Sequence, residues 1–149
     1  MLVCKKLNDN AILPTVAHPG EDLAFDLYAS EDIRLHPGEA TIVHTGITAR
    51  YFDEQNELTY QPRYGLLFRD RSSMASKGIT VSGGVIDSGY DGEFMVVLTN
   101  HTKFIYKINT GEKIVQMIPL ASYTAGEIKW VEELPLSNRG DKGFGSSGA

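Results

Sequence analysis

The sequence has one cysteine, no long apolar run and no cluster of cations, and each scarcity removes a class of protein. Cys4, standing alone, excludes an internal disulfide and any cysteine-built zinc site, and it suits a reducing compartment. The opening Met1-Leu2-Val3-Cys4-Lys5-Lys6 is followed by polar Asn8, Asp9 and Asn10, so no signal-peptide pattern is read. No stretch is apolar for long enough to cross a membrane as a helix. The expectation is a cytoplasmic protein with no membrane partner. Fourteen Lys and Arg face nineteen Asp and Glu, for a net charge of -5, and the longest basic run is Lys5-Lys6. Binding to nucleic acid through bulk charge is therefore not expected. A compact polyanion is a smaller demand, which a few well-placed cations can meet. The histidines His18, His36, His44 and His101 are not at metal-ligand spacing and read as surface or loop residues.

A helical period is also missing. At 149 residues and 42% hydrophobic, the chain suits one domain with its own core. Fifteen glycines and scattered prolines punctuate short β-rich runs. Strands are expected at 33–35 and 40–43, flanking the turn His36-Pro37-Gly38-Glu39, and again at 94–98, 104–108, 113–120 and 127–134. Regular short strands with turns between them predict an all-β sandwich or barrel. One short helix is expected over 72–77, ahead of Gly78. Met95, Val96, Val97 and Leu98, and Ile114, Val115, Met117 and Ile118, make two strands apolar on both faces. Such strands need a cover on the second face, most simply another subunit, although a long loop would serve equally. Beyond 136 the composition turns to Gly and Ser, so 1–136 reads as the domain and 137–149 as a flexible C-terminal arm.

Three segments could carry chemistry. Arg71-Ser72-Ser73, with Lys77-Gly78 shortly after, offers hydroxyls and amides suited to an anion, yet alone it reads first as a helix N-cap beside a solvated arginine. In Val81-Ser82-Gly83-Gly84-Val85-Ile86-Asp87, the Gly pair looks like a hairpin turn that a flat ligand can approach closely. Asp87 follows the apolar run, where desolvation would favour a general base, and Tyr90 lies three residues on; a turn-stabilising Asp fits equally well. The arm offers Arg139, Phe144, Gly145, Ser146 and Ser147, able to fold over a nucleotide with the ring on a base and donors on phosphates. Plain disorder or an appended linker has the same composition.

Read together and in order, these segments resemble the five motifs of the trimeric dUTPase family. Ala24-Phe25-Asp26-Leu27-Tyr28-Ala29 is similar to the first and Arg71-Ser72-Ser73-Met74-Ala75 to the second. Gly84-Val85-Ile86-Asp87-Ser88-Gly89-Tyr90-Asp91-Gly92-Glu93 is similar to the third. Gly111-Glu112-Lys113-Ile114-Val115-Gln116-Met117-Ile118 resembles the fourth, and the stretch from Arg139 to Gly148 the fifth. Any one of these is weak, whereas five in register are specific. The resemblance implies a jelly-roll subunit, a homotrimer and hydrolysis of dUTP to dUMP and pyrophosphate. It implies that Asp87 activates the attacking water and that Tyr90 sits beneath the deoxyribose. The backbone of Val81, Ser82, Gly83, Gly84, Val85 and Ile86 would read the uracil edge. Arg71, Ser72, Ser73 and Gln116 would serve the phosphates, joined by Arg139, Gly145, Ser146 and Ser147, while Phe144 stacks on the base. Mg²⁺ would ride mainly on substrate phosphates and waters, with Asp26 holding it through water.

Ala24, Lys113 and Asp91 depart from the usual residues of these motifs, Lys113 giving up the bidentate fork of an arginine. The segment 51–69 is longer than in compact members. A rival on the same fold, dCTP deaminase, needs a carboxylate about ten residues after Asp87, where this chain has apolar Val97. A non-catalytic regulatory protein on the same scaffold is the alternative from a different class.

Overall fold

The computed structural model describes residues 1–51, 64–121 and 130. The strand expected at 127–134 and the arm at 137–149 lie outside the described residues, as does most of the long segment 51–69.

Eleven strands and one short helix are described: β1 (Leu2–Lys6), β2 (Phe25–Tyr28), β3 (Ile33–Leu35), β4 (Ala40–His44), β5 (Ile47–Tyr51), β6 (Tyr64–Arg69), α1 (Ser72–Ala75), β7 (Ile79–Val81), β8 (Val85–Ile86), β9 (Met95–Asn100), β10 (Tyr106–Ile108) and β11 (Lys113–Ala121). They form an all-β jelly-roll sandwich with every pairing antiparallel. One sheet runs β2-β11-β6-β8 and another β4-β9-β7, with two-stranded pairs β10-β3 and β1-β5 completing the walls.

The core follows from side-chain alternation. On β9, Val96, Leu98 and Asn100 are buried, while Met95 and Val97 point the other way. Val43 on β4, Ile79 on β7 and Phe94 join them, facing Leu27, Phe68, Val115 and Met117 from the opposite sheet. Phe68 and Phe94 meet edge to face at 5.8 Å across the interface, and each such ring fully buried contributes about 1.5–3 kcal/mol. Asn100 is the polar exception. Its amide donates to the carbonyls of Leu35 at 2.9 Å and Phe104 at 2.8 Å, and its oxygen accepts from Thr102, so burial leaves nothing unsatisfied.

The two doubly apolar strands have different explanations. On β11 a register shift between Lys113 and Val115 turns both Ile114 and Val115 inward, so the chain buries both by itself. On β9 the second face stays partly open: Val97 pairs with Ile42, which is 53% exposed, and Met95 lies beside them at the sheet's end.

The Gly83-Gly84 reading needs correcting. β7 pairs with β9 and β8 pairs with β6, so these glycines carry the chain from one sheet to the other and close no hairpin. The local signal for a tight turn was present (Gly83 has φ +66), but tertiary pairing decided where the strands went. Gly84 is required by packing: a Cβ there would lie 2.5 Å from the Phe68 carbonyl oxygen.

Candidate active site

Three of the five sequence segments converge. Asp26 on β2 is buried, and Arg71 donates from Nε to its Oδ1 at 2.9 Å while Lys113 donates from Nζ to its Oδ2 at 2.7 Å. The Arg71 guanidinium also reaches the Lys113 carbonyl and the Ser73 hydroxyl. The hydrogen bond to Asp26 holds the Lys113 ammonium above its ordinary pKa, keeping the cation charged. Thus Lys113, which gives up an arginine's fork, still serves as a point charge on the same carboxylate. Register sets Gln116 between Asp26 and Arg69 on one face of the sheet. Arg71 is itself the N-cap residue of α1, with no side-chain cap, so Ser72 and Ser73 keep their hydroxyls exposed. The bland reading of this segment as a capped helix beside a solvated arginine does not hold. Its guanidinium is committed to Asp26.

No group of three or more His, Cys, Asp or Glu suited to a metal ion occurs among the described residues. Asp26 directs both carboxylate oxygens at cations of the chain. That donor set suits an ion carried by phosphates, with Asp26 accepting from its waters, and does not suit direct chelation.

The third segment stands apart. Asp87 is exposed at the end of β8, and its carbonyl accepts from the Tyr90 amide at 3.0 Å to close a turn. The desolvation expected at Asp87 is not supplied by a single chain. Tyr90 stacks on Phe94 at 6.4 Å and 18°, and its hydroxyl donates to the Glu93 carbonyl at 3.1 Å. The ring leaves no room for a side chain at Gly92, whose Cβ would lie 2.6 Å from Tyr90 Cζ. Glu93 anchors the whole turn: its Oε1 accepts from the Gly46 amide at 2.8 Å, and its Oε2 pairs with His44 Nδ1 at 2.9 Å. This contact raises the His44 pKa, against the opposing effect of partial burial. Asp91, unusual for its motif, pairs with Arg50. His44, expected as a surface or loop residue, ends β4, and nothing in the sequence marks its contact across 49 positions.

Between β7 and β8, the Ser82 amide donates to the Val97 carbonyl, and the Gly84 carbonyl accepts from Phe68. The amide and carbonyl of Gly83 make no hydrogen bond within the described residues. The two halves of the constellation sit on opposite edges of one sheet, β2 at one side and β8 at the other. Three strand spacings separate them by about 14 Å, and the offset along the strands adds about 13 Å. No hydrogen bond or ion pair joins Asp87 to the Asp26 cluster among the described residues. Arg139, Phe144, Gly145, Ser146 and Ser147 lie outside them.

Comparison with known proteins matches this arrangement over almost the whole chain. The dUTPase family pattern fits residues 9–148. The deoxyuridine 5'-triphosphate nucleotidohydrolase of Clostridioides difficile is 40% identical over 147 residues, covering 99% of this chain and 97% of that protein. The enzyme of the same name from Solibacter usitatus is 41% identical over 149 residues, covering 97% and 93%. In structure, the dUTPase of Staphylococcus bacteriophage 80alpha with dUPNHPP superposes with a TM-score of 0.83 at 28% identity, covering 100% of this chain and 99% of that one. With its motifs, its sandwich and its full-length relatives in agreement, the chain belongs to the dUTPase family.

Proposed function

We propose that the protein is a homotrimeric dUTP diphosphatase whose active sites form between subunits. The observation that carries this reading is the split between the Asp26-Arg71-Lys113 cluster and the Asp87-Tyr90 turn. A general base must lie within hydrogen-bond reach of its proton, directly or through one water. Across about 19 Å, the two offsets taken at right angles on one sheet, Asp87 and the Asp26-Arg71 pair of one chain cannot act on the same phosphorus. A turn from one copy facing the cluster of another removes the difficulty. The half-open face around Ile42 and Val97 offers apolar area for such packing.

In this assembly Asp87 accepts the proton of a water aimed in line at the α-phosphorus. The bond from that phosphorus to the bridging oxygen breaks, giving dUMP and pyrophosphate. Arg71, Ser72, Ser73 and Gln116 orient the phosphates, with Arg71 itself fixed by Asp26. Arg139, Gly145, Ser146 and Ser147 close on the γ-phosphate, and Phe144 stacks on uracil, so closure also expels water. When bound on the phosphates, Mg²⁺ neutralises charge developing on the leaving pyrophosphate. Tyr90, held flat by Phe94 and Glu93, excludes a 2′-hydroxyl. The free amide and carbonyl of Gly83 are suited to a base edge, and a wrong base leaves such groups unpaired.

The test is incubation with dUTP, dCTP, dTTP and UTP plus Mg²⁺, with products resolved by chromatography. dUMP and pyrophosphate from dUTP alone support the reading. Deamination of dCTP would transfer it to the sister enzyme, despite apolar Val97 on β9. No turnover of any nucleotide would leave the non-catalytic reading standing.

A further inference from the structure

We propose that Asp70 is a positioning residue for base discrimination, resting on the reading that residues 81–86 recognise uracil. Among the described residues β7 is an edge strand of its sheet, paired only with β9. The Ser82 amide points back to β9, where it meets the Val97 carbonyl. The neighbouring Val81 amide therefore points off the edge, where an unpaired donor is costly once partly buried. Asp70 Oδ1 accepts it at 2.5 Å, and a carboxylate makes this bond stronger than a neutral acceptor would.

Two residues earlier, the Phe68 amide donates to the Gly84 carbonyl at 2.7 Å, with the Gly84 backbone pressed against the Phe68 carbonyl. The crossing from Val81 to Gly84 is thus held at both ends by the three residues 68–70. Arg71 comes next, and its guanidinium turns the other way to Asp26. One short stretch of backbone therefore anchors the base-reading crossing on one side and the phosphate cluster on the other. Asp70 touches neither the expected base nor the phosphates. Its effect passes through where the Gly83 amide and carbonyl stand.

Loss of this acceptor lets the crossing pivot about Gly84, and readout by fixed backbone groups is sensitive to small displacements. The experiment compares the full-length protein with Asp70→Ala, Asp70→Asn and Asp70→Glu. It measures kcat and KM for dUTP and dTTP, with native mass and thermal melting as controls on folding. Asp70→Ala should raise KM for dUTP about tenfold and narrow the dUTP to dTTP ratio of kcat/KM by a similar factor, with kcat within about threefold. Asp70→Asn keeps an oxygen at the same distance and should restore most of both. Asp70→Glu keeps the charge but displaces the acceptor, so it should show the defect even where Asp70→Ala folds poorly. Wild-type KM and selectivity in folded Ala and Glu variants would overturn the proposal, as would an Asn variant as impaired as Ala. A wild-type protein that does not prefer dUTP to dTTP would instead overturn the uracil reading on which it rests.

Discussion

The Asp26 cluster and the Asp87 turn are built on opposite principles. Asp26, Arg71 and Lys113 are brought together inside one chain, on adjoining elements, with each charge already paired. Asp87 projects from a turn at the far edge of the same sheet, exposed and without a side-chain partner among the described residues. The first is complete before any substrate or neighbour arrives. The second holds its shape through Glu93, Tyr90 and Phe94 but has nothing to act on. A pre-paired cluster should tolerate the loss of one member badly in stability, whereas an exposed carboxylate should tolerate it well in stability and, as the proposed base, badly in chemistry.

The largest expected effect therefore falls at the exposed residue. Asp87→Asn should lower kcat by about a thousandfold or more, as removal of a general base together with its orienting role does. Its affinity for a non-hydrolysable dUTP analogue should stay within about tenfold of wild type. A variant keeping a tenth of wild-type turnover would sink the assignment. Deleting residues 139–149 should cost about a hundredfold in turnover while the subunit count of the native oligomer is unchanged, as expected for a segment proposed to close on substrate. Normal activity in the truncated protein would remove the arm from the mechanism.

The split itself is tested by mixing. Asp87→Asn and Arg71→Ala proteins, each nearly inactive, should regain activity when unfolded and refolded together. Random assembly puts an intact turn opposite an intact cluster in about a quarter of the sites. Failure to recover any activity would place both residues of a site in one chain.

The cluster shows its character in stability. Asp26→Ala leaves two neighbouring cations without their shared carboxylate and should cost about 3 kcal/mol in urea unfolding. A cost near zero would mean the pairs are solvent-screened. The smallest effect belongs to His44. Its pKa is raised in the folded state, so its contribution is full below the unfolded value of about 6.5 and is lost as pH rises through the folded value. Both partners are partly exposed, so the gain is under about 1 kcal/mol. Melts at about pH 6 and about pH 9 should differ by that amount more in wild type than in His44→Ala.

Much of this arrangement was legible in the sequence. The all-β class followed from short runs and turn residues, and α1 falls within the predicted 72–77. The edges of the strands moved by one or two residues, as with β10, which begins at Tyr106. What failed was pairing. Gly83-Gly84 has the composition of a hairpin turn, but strand partners are chosen by the whole sandwich, and here the chain changes sheets. Ile114 and Val115 looked like a face awaiting a subunit, because a bulge inside a strand leaves no mark in hydrophobicity. Asp70 and Glu93 went unassigned for a related reason. A carboxylate that accepts from a distant backbone amide has no sequence pattern, since its partner has no side-chain identity. The motifs marked candidate residues without showing which of them one chain brings together and which it leaves apart.

With sites formed between subunits, as proposed, the placement of Asp87 and Asp26 on opposite sheet edges would also make catalysis obey mass action. A lone chain would then be folded yet inert, and specific activity should fall on dilution while the spectroscopic signature of the fold stays unchanged. Abundance would then act as a threshold control on nucleotide turnover, with no effector and no modification required.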